Sequence, residues 1–253
     1  MYDFKSILEI MELPQKAMTY DGKYLENQIP GYLTLDVAGR ESLDTDIQTD
    51  EIHVGSIISN QKLKSKTLIV EYGLTFENYE DSQFKFNKIK QFLFRREDVP
   101  IVFNDENGIL FYGRLSLMQQ PTYHTNEFAT GKIELFCQNP LKHSRIKEFS
   151  NVITMDSPIE TTPQKIKVKL STNSSIKITN KRSGAKIKIT SAAIYSDNLV
   201  EFDFEHGKVF VNGADRTAIL DLDSDFENFY IHRGDEIICN NGVMTIYANE
   251  VYL

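Results

Sequence analysis

The chain has 253 residues, of which 41% are hydrophobic and 25% charged, and a formal net charge of −8. This is the make-up of ordinary globular protein, with room for one large or two ordinary domains. It argues against a membrane span, because no apolar run approaches the ~18 residues one needs. It also argues against nucleic-acid binding by the first half: residues 1–139 carry 21 acidic against 14 basic side chains (−7) and the rest 15 against 14 (−1).

In chain order, the first stretch holds Asp3, Glu9 and Glu12 and no small-residue cleavage site. A secretory leader is not expected there, and folding in the cytosol is. Turn signals follow at Asp21-Gly22 and Ile29-Pro30-Gly31. Tyr32, Leu33, Leu35 and Val37 alternate with Thr34 and Asp36 as in a strand that ends at the Gly39-Arg40 turn. The segment Glu41–Glu51 then contains five acidic residues, Glu41, Asp44, Asp46, Asp50 and Glu51, and no basic one. It reads as an exposed loop or hairpin arm. Lys66–Glu71 and Gly73–Phe76, rich in β-branched residues, form the next strand region.

One segment breaks the β pattern. Phe86, Ile89 and Leu93 fall at helical spacing, with Phe92 and Phe94 beside them, which predicts a helix over about 80–96. Asn78 with Asp81 three residues on forms a variant capping box. Lys88, Lys90, Arg95 and Arg96 fall late, where cations suit the helix dipole, and Pro100 is the expected stop. The aromatic stripe reads as core packed on a sheet. From Ile101 to Ser144 the pattern is strand, turn (Asn104–Gly108), strand, loop, and a strand that stops at Pro140.

After Pro140 the texture changes. KIKVKL, SIKITN and AKIKIT alternate lysine with apolar residues, the mark of half-solvated antiparallel strands whose lysines discourage aggregation. Strands are expected at Asn198–Phe204, Lys208–Val211, Ala218–Leu222, Phe229–His232, Glu236–Cys239 and Val243–Ala248, with Asn212-Gly213 as a type I′ hairpin turn. Many short strands spaced in this way suggest a sandwich. The expected class is therefore mainly β with one helix, in two domains, 1–139 and 140–253.

Candidate chemistry is sparse. Cys137 and Cys239 lie in apolar runs and read as buried reduced thiols. The five histidines have no HxH or HxxxH spacing. Asp221-x-Asp223-x-Asp225 begins like a calcium loop, but its sixth position is Phe226 and its twelfth His232. Arg233-Gly234-Asp235 matches an adhesion tripeptide and also supplies what a hairpin turn needs. There is no nucleophile elbow and no phosphate loop. No catalytic, cofactor or metal residue is assigned, and an enzyme is not expected.

Order and spacing resemble one family, the distal tail proteins (Dit) of siphophages that infect Gram-positive bacteria. The matching elements are YLTLDVAGR (Tyr32–Arg40), the lone helix FKFNKIKQFLFR (Phe84–Arg95), the strand pair IVFND…LFYGRL (Ile101–Leu115) and the closing GKIELFCQNPLKHS (Gly131–Ser144). In the second half they are GKVFVNG (Gly207–Gly213), LDLDSDF (Leu220–Phe226) and HRGDEIIC (His232–Cys239). The chain departs from the family in carrying Arg233-Gly234-Asp235 at a late turn and no tryptophan.

The resemblance implies an N-terminal β-sandwich-like ring domain and a C-terminal galectin-like β-sandwich, with a Bacillus-type phage as the expected source. It implies a homohexameric ring in the virion tail tip, made in the bacterial cytoplasm, with the second domains at the periphery. The ring would join the major tail tube protein to a tail-associated tip protein, carry receptor-binding proteins where a baseplate exists, and let DNA pass without binding it. No membrane and no cofactor are implied. Ring or partner contacts are expected on the arm and its root, at Arg40, Glu41, Asp44, Asp46, Asp50 and Glu51. The alternative function is a carbohydrate-binding adhesion module acting through the second domain.

Overall fold

The computed structural model describes residues 13–190 and 194–253. The segment read for a leader lies mostly outside these residues. The chain divides into two compact units, Met1–Lys142 with Leu253, and His143–Tyr252.

The first unit is built on an antiparallel sheet. Its strands are β1 (Met18–Tyr20), β2 (Lys23–Tyr24), β3 (Tyr32–Ala38), β6 (Lys66–Thr75), β7 (Val99–Phe103), β8 (Ile109–Met118), β9 (Thr122–Tyr123) and β10 (Phe128–Cys137). They run in the order β2-β1-β7-β8-β10-β6-β3, with β9 beside β10. β4 (Thr45–Glu51) and β5 (Ser56–Leu63) form a separate two-stranded sheet. The longest ladder joins β10 to β6, from Phe128 opposite Thr75 to Cys137 opposite Lys66. Its alternation buries Leu68, Val70, Tyr72, Leu74, Ile133 and Leu135 on one face. A short helix, α1 (Leu25–Gln28), covers part of β3, the edge of this sheet: Glu26 accepts hydrogen bonds from both the N–H and the hydroxyl of Thr34.

The long helix, α2, spans Tyr79–Leu93. The Asn78 side chain accepts from the Asp81 N–H, and the Asp81 carboxylate accepts from the Glu77 N–H, a reciprocal cap set one residue further out than the usual box. Ile89 and Leu93 are fully buried, and Phe86 and Phe92 pack against the same core. Phe94, expected to flank that stripe inside, is exposed. Pro100 does not end the helix; it sits in β7 opposite Tyr112. The chain leaves helical geometry at Phe94, and the Arg95 guanidinium donates to the carbonyls of Phe92 and Phe94. The helix thus closes on a cationic cap six residues before the proline.

The chain passes into the second unit through β11 (Lys142–Ser144). There β12 (Lys147–Phe149), β13 (Lys165–Lys169), β16 (Leu199–Asp203), β17 (Lys208–Val211), β18 (Ala214–Asp215) and β20 (Val243–Ala248) form one sheet in the order β12-β20-β13-β16-β17-β18. A second sheet is β15 (Lys186–Ile189), β14 (Ile176–Asn180) and β19 (Ile237–Cys239), in that order, and β21 (Val251–Tyr252) ends the unit. Ile166, Val168, Phe202 and Ile246 from the first sheet and Ile176, Ile178, Ile187 and Ile237 from the second share one core, so the unit is a sandwich. Asn212 and Gly213 have φ of 50° and 82°, as the β17–β18 type I′ turn requires.

Two expected strands are absent. Ala218–Leu222 is a 3-10 turn (Thr217–Ile219) followed by a loop, and Phe229–His232 contributes only a bridge between Ile231 and Thr161. The loop has another task. Asp221 N–H and Asp225 N–H donate to the carbonyls of Lys188 and Lys186. In return Lys186, Lys188 and Thr190 donate their N–H groups to the side chains of Asp225, Ser224 and Asp221. The acidic motif is thus a lid of polar side chains on the open edge of β15.

Candidate assembly surface

The β4–β5 ribbon is the part of the first unit that the core does not explain. Its strands pair with each other from Thr45 opposite Leu63 to Glu51 opposite Ser56. It leaves Ile47, Ile52, Val54, Ile57 and Ile58 exposed, with Val54 at 82%. A two-stranded ribbon without a third partner is marginal in water. Five large aliphatic side chains thus stand in solvent on such a ribbon, and large exposed apolar patches are a feature of interaction sites.

Its root is fixed by charge. Gly39 turns the chain out of β3 at φ 89°, and a Cβ there would stand 2.3 Å from the carbonyl oxygen of Thr67, so only glycine fits. The next side chain, Arg40, is held inward. Its two terminal nitrogens donate to Asp105 at 2.8 and 2.9 Å, and its guanidinium lies over the Phe103 ring at 5.2 Å. Lys66 Nζ donates to the Arg40 carbonyl at 3.0 Å. Lys142 bridges Glu106, at 2.8 Å, and Glu41. The Arg40 guanidinium holds the Asp105 carboxyl below the usual carboxylate range, while burial and then the Lys142 ammonium push the Lys66 amine down.

The six residues singled out in the sequence therefore separate. Arg40 and Glu41 belong to the root, together with Lys66, Asp105, Glu106 and Lys142, which read in the sequence only as turn and strand residues. Asp44 and Asp46 lie along the ribbon opposite Lys64 and Lys62, at 3.5 and 3.8 Å. Asp50 and Glu51 lie towards the tip, where no cation among the described residues stands within ion-pair distance.

The second unit also exposes apolar side chains, Ile146, Val152 and Val243 among them. Four of its stripe lysines are paired: Lys165 and Lys167 hold Glu201, at 2.9 and 3.2 Å, and Lys186 and Lys188 hold Asp223, at 3.2 and 3.5 Å. The adhesion-like tripeptide is not presented either. Asp235 is 1% exposed and accepts from Arg182, from Asn180 at 2.7 Å and from the N–H of His232 at 2.9 Å. Burial alone would raise its pKa, but these hydrogen bonds outweigh it and hold the carboxyl below its ordinary value. Cys137 is buried, its thiol pushed up to about 11 by burial, and Cys239 is half-buried; both are free. Among the described residues no group of His, Cys, Asp and Glu is placed to hold a metal ion.

Against known proteins, residues 159–252 match the family described as the siphovirus-type tail component, C-terminal domain. The distal tail protein of Bacillus phage SPP1 is 27% identical over 149 residues, a match spanning 58% of this chain and 57% of that protein. The chain is thus similar to the distal tail proteins, in its C-terminal part by family and in more than half its length by sequence. The crystal structure of SPP1 Dit, described as a hub of the adsorption apparatus in phages infecting Gram-positive bacteria, superposes with a TM-score of 0.75 at 20% identity, covering 94% of this chain and 99% of that one. A chain of the phage P2 baseplate in its activated conformation with Ca superposes with a TM-score of 0.57 at 9% identity, over 92% of this chain and 97% of that one. The mainly β distal tail fold thus spans both units, and the ribbon and its root are features of this chain's own geometry.

Proposed function

We propose that this chain is a structural hub of a phage tail tip: six copies close into a ring that joins the tail tube to the tail-tip apparatus and leaves a channel for DNA. The observation that carries this reading is the ribbon. It is anchored by a charged root, contributes nothing to its own unit's core, and exposes an aliphatic surface that a second copy would cover. A ribbon on one copy and a different surface on the next make a head-to-tail contact, which generates a ring when the rotation closes. The excess of acidic residues in 1–139 suits a channel wall that DNA must pass without sticking. The tube protein on one face, a tip protein on the other and receptor-binding proteins attached outside complete this reading.

A carbohydrate-binding role for the second unit has less support. Glu201 borders a shallow depression with Phe210, the natural place for a sugar to stack, but both its oxygens are already held by Lys165 and Lys167. Sedimentation velocity and native mass spectrometry of the full chain test the hub reading. A closed oligomer is expected, and a strict monomer at all concentrations would refute it.

A further inference from the structure

Between the ribbon root and the first anchored residue of the second unit lies one residue of chain. Lys142 is the last residue of the first unit and His143 the first of the second. Lys142 is buried, with 8% of its side chain exposed, and its ammonium holds Glu41, at the ribbon base, and Glu106, in the turn before β8. Ser144, two residues on, is buried as well. Its N–H donates to the Glu250 carbonyl, its hydroxyl accepts from the Glu250 N–H, and its carbonyl accepts from the Asn249 side chain. Glu250 is fixed in turn: its carboxylate accepts from the Asp156 N–H, the Lys147 ammonium and the Tyr252 hydroxyl.

Domains of one chain ordinarily move relative to each other, and the linker takes up the movement. Here the linker is His143 alone, inside the extended segment β11. An extended residue spans at most roughly 3.5 Å, so it has no slack to give. A displacement of the second unit therefore pulls on Lys142 or on Ser144. The two anchors are unequal. Ser144 is held through three hydrogen bonds in a buried setting, whereas the Lys142 ammonium holds a Glu41 side chain that is 80% exposed. Ion pairs open to solvent are weak, so the Lys142–Glu41 pair yields first.

We infer that Lys142 is a mechanical coupling between the second unit and the ribbon base: a partner that displaces the second unit draws the ammonium off Glu41 and loosens the ribbon base, and a contact that fixes the ribbon base steadies the second unit in return. Both directions carry the same coupling free energy, because coupling between two sites is reciprocal. The coupling belongs to the single chain and stands apart from the hub reading.

Hydrogen exchange on the full chain tests it, at a concentration where sedimentation velocity gives wild type and variants one mass. Ser144→Ala, in the second unit, is expected to speed exchange of two amides at the ribbon base, the Ser42 N–H on the Gly39 carbonyl and the Lys64 N–H on the Asp44 carbonyl, by at least about threefold. Glu41→Gln, in the first unit, should speed exchange of the Ser144 and Glu250 N–H groups by a similar factor. In a Lys142→Met background neither effect should cross from one unit to the other. Thermal unfolding of each variant checks that the fold is kept, and Glu41, being exposed, can be changed without disturbing the core. If either substitution is felt only in its own unit, or if either effect persists in the Lys142→Met background, the coupling is overturned.

Discussion

The edge of β15 and the β4–β5 ribbon face the same physical problem and answer it in opposite ways. Unpaired strand edges invite other strands. At β15 the chain spends a whole loop, Leu220–Asp225, on covering the edge with carboxylates and a serine hydroxyl. At the ribbon it leaves both outer edges and five aliphatic side chains in solvent, after building a charged root to hold them there. A chain that seals one edge so thoroughly does not leave the other open by neglect. On the proposed hub reading the open ribbon is an interaction surface, while the β15 edge is closed within its own unit.

That contrast can be broken from either side. The largest loss should come inside the second unit. Asp235→Ala leaves Arg182, Asn180 and the His232 N–H without their common acceptor, and should destabilise the second unit by about 3–5 kcal/mol in denaturant unfolding. Arg40→Ala removes a bidentate ion pair at the ribbon root and should cost about 2–3 kcal/mol, with self-association falling as the ribbon loses its anchor. Thermal unfolding beside sedimentation separates the two effects, and unchanged assembly would mean that the root does not position the ribbon.

Acid acts on the same ion pairs. The Asp105 and Asp235 carboxyls titrate lower in the folded chain than their ordinary value of 3.8. Their contribution to stability is therefore whole above that value and is lost as the pH falls through the folded values. Unfolding midpoints measured down through pH 4 should drop, and the Asp235→Ala variant should drop less. A smaller effect is expected at the sealed edge, where Ser224→Ala removes a side chain that serves the Lys188 N–H. It should cost about 1 kcal/mol and raise aggregation on storage, read by light scattering. Smallest for stability is Ile57→Ser on the ribbon, within about 0.5 kcal/mol of wild type, yet it should weaken self-association. Ile57→Ser assembling like wild type would undo the contrast.

Much of the fold could be read from the sequence because it rested on periodicity. The lysine-striped strands, the Ile101–Cys137 strand series, the Asn212-Gly213 turn and the core side of α2 all follow from local alternation or helical spacing. What could not be read was long-range. Ala218–Leu222 has a strand-like apolar pattern, but Asp221 and, just beyond it, Asp225 are drawn to the backbone of β15 and the residue after it, more than 30 residues earlier. Pro100 looked like the helix stop, but Arg95 had already closed it. The acidic run Glu41–Glu51 announced an exposed arm, and the ribbon lies there. Its partner strand β5 and the root residues Asp105 and Lys142 gave no local signal, because a salt bridge across more than 60 residues leaves no pattern in a window.

The central claim is that the open ribbon makes this chain incomplete alone. The native mass of the full-length protein tests it most directly. A closed assembly of six chains of 29.1 kDa each, dissociating when the ribbon is altered, is the expected result. A single 29.1 kDa species at every concentration and ionic strength would contradict it.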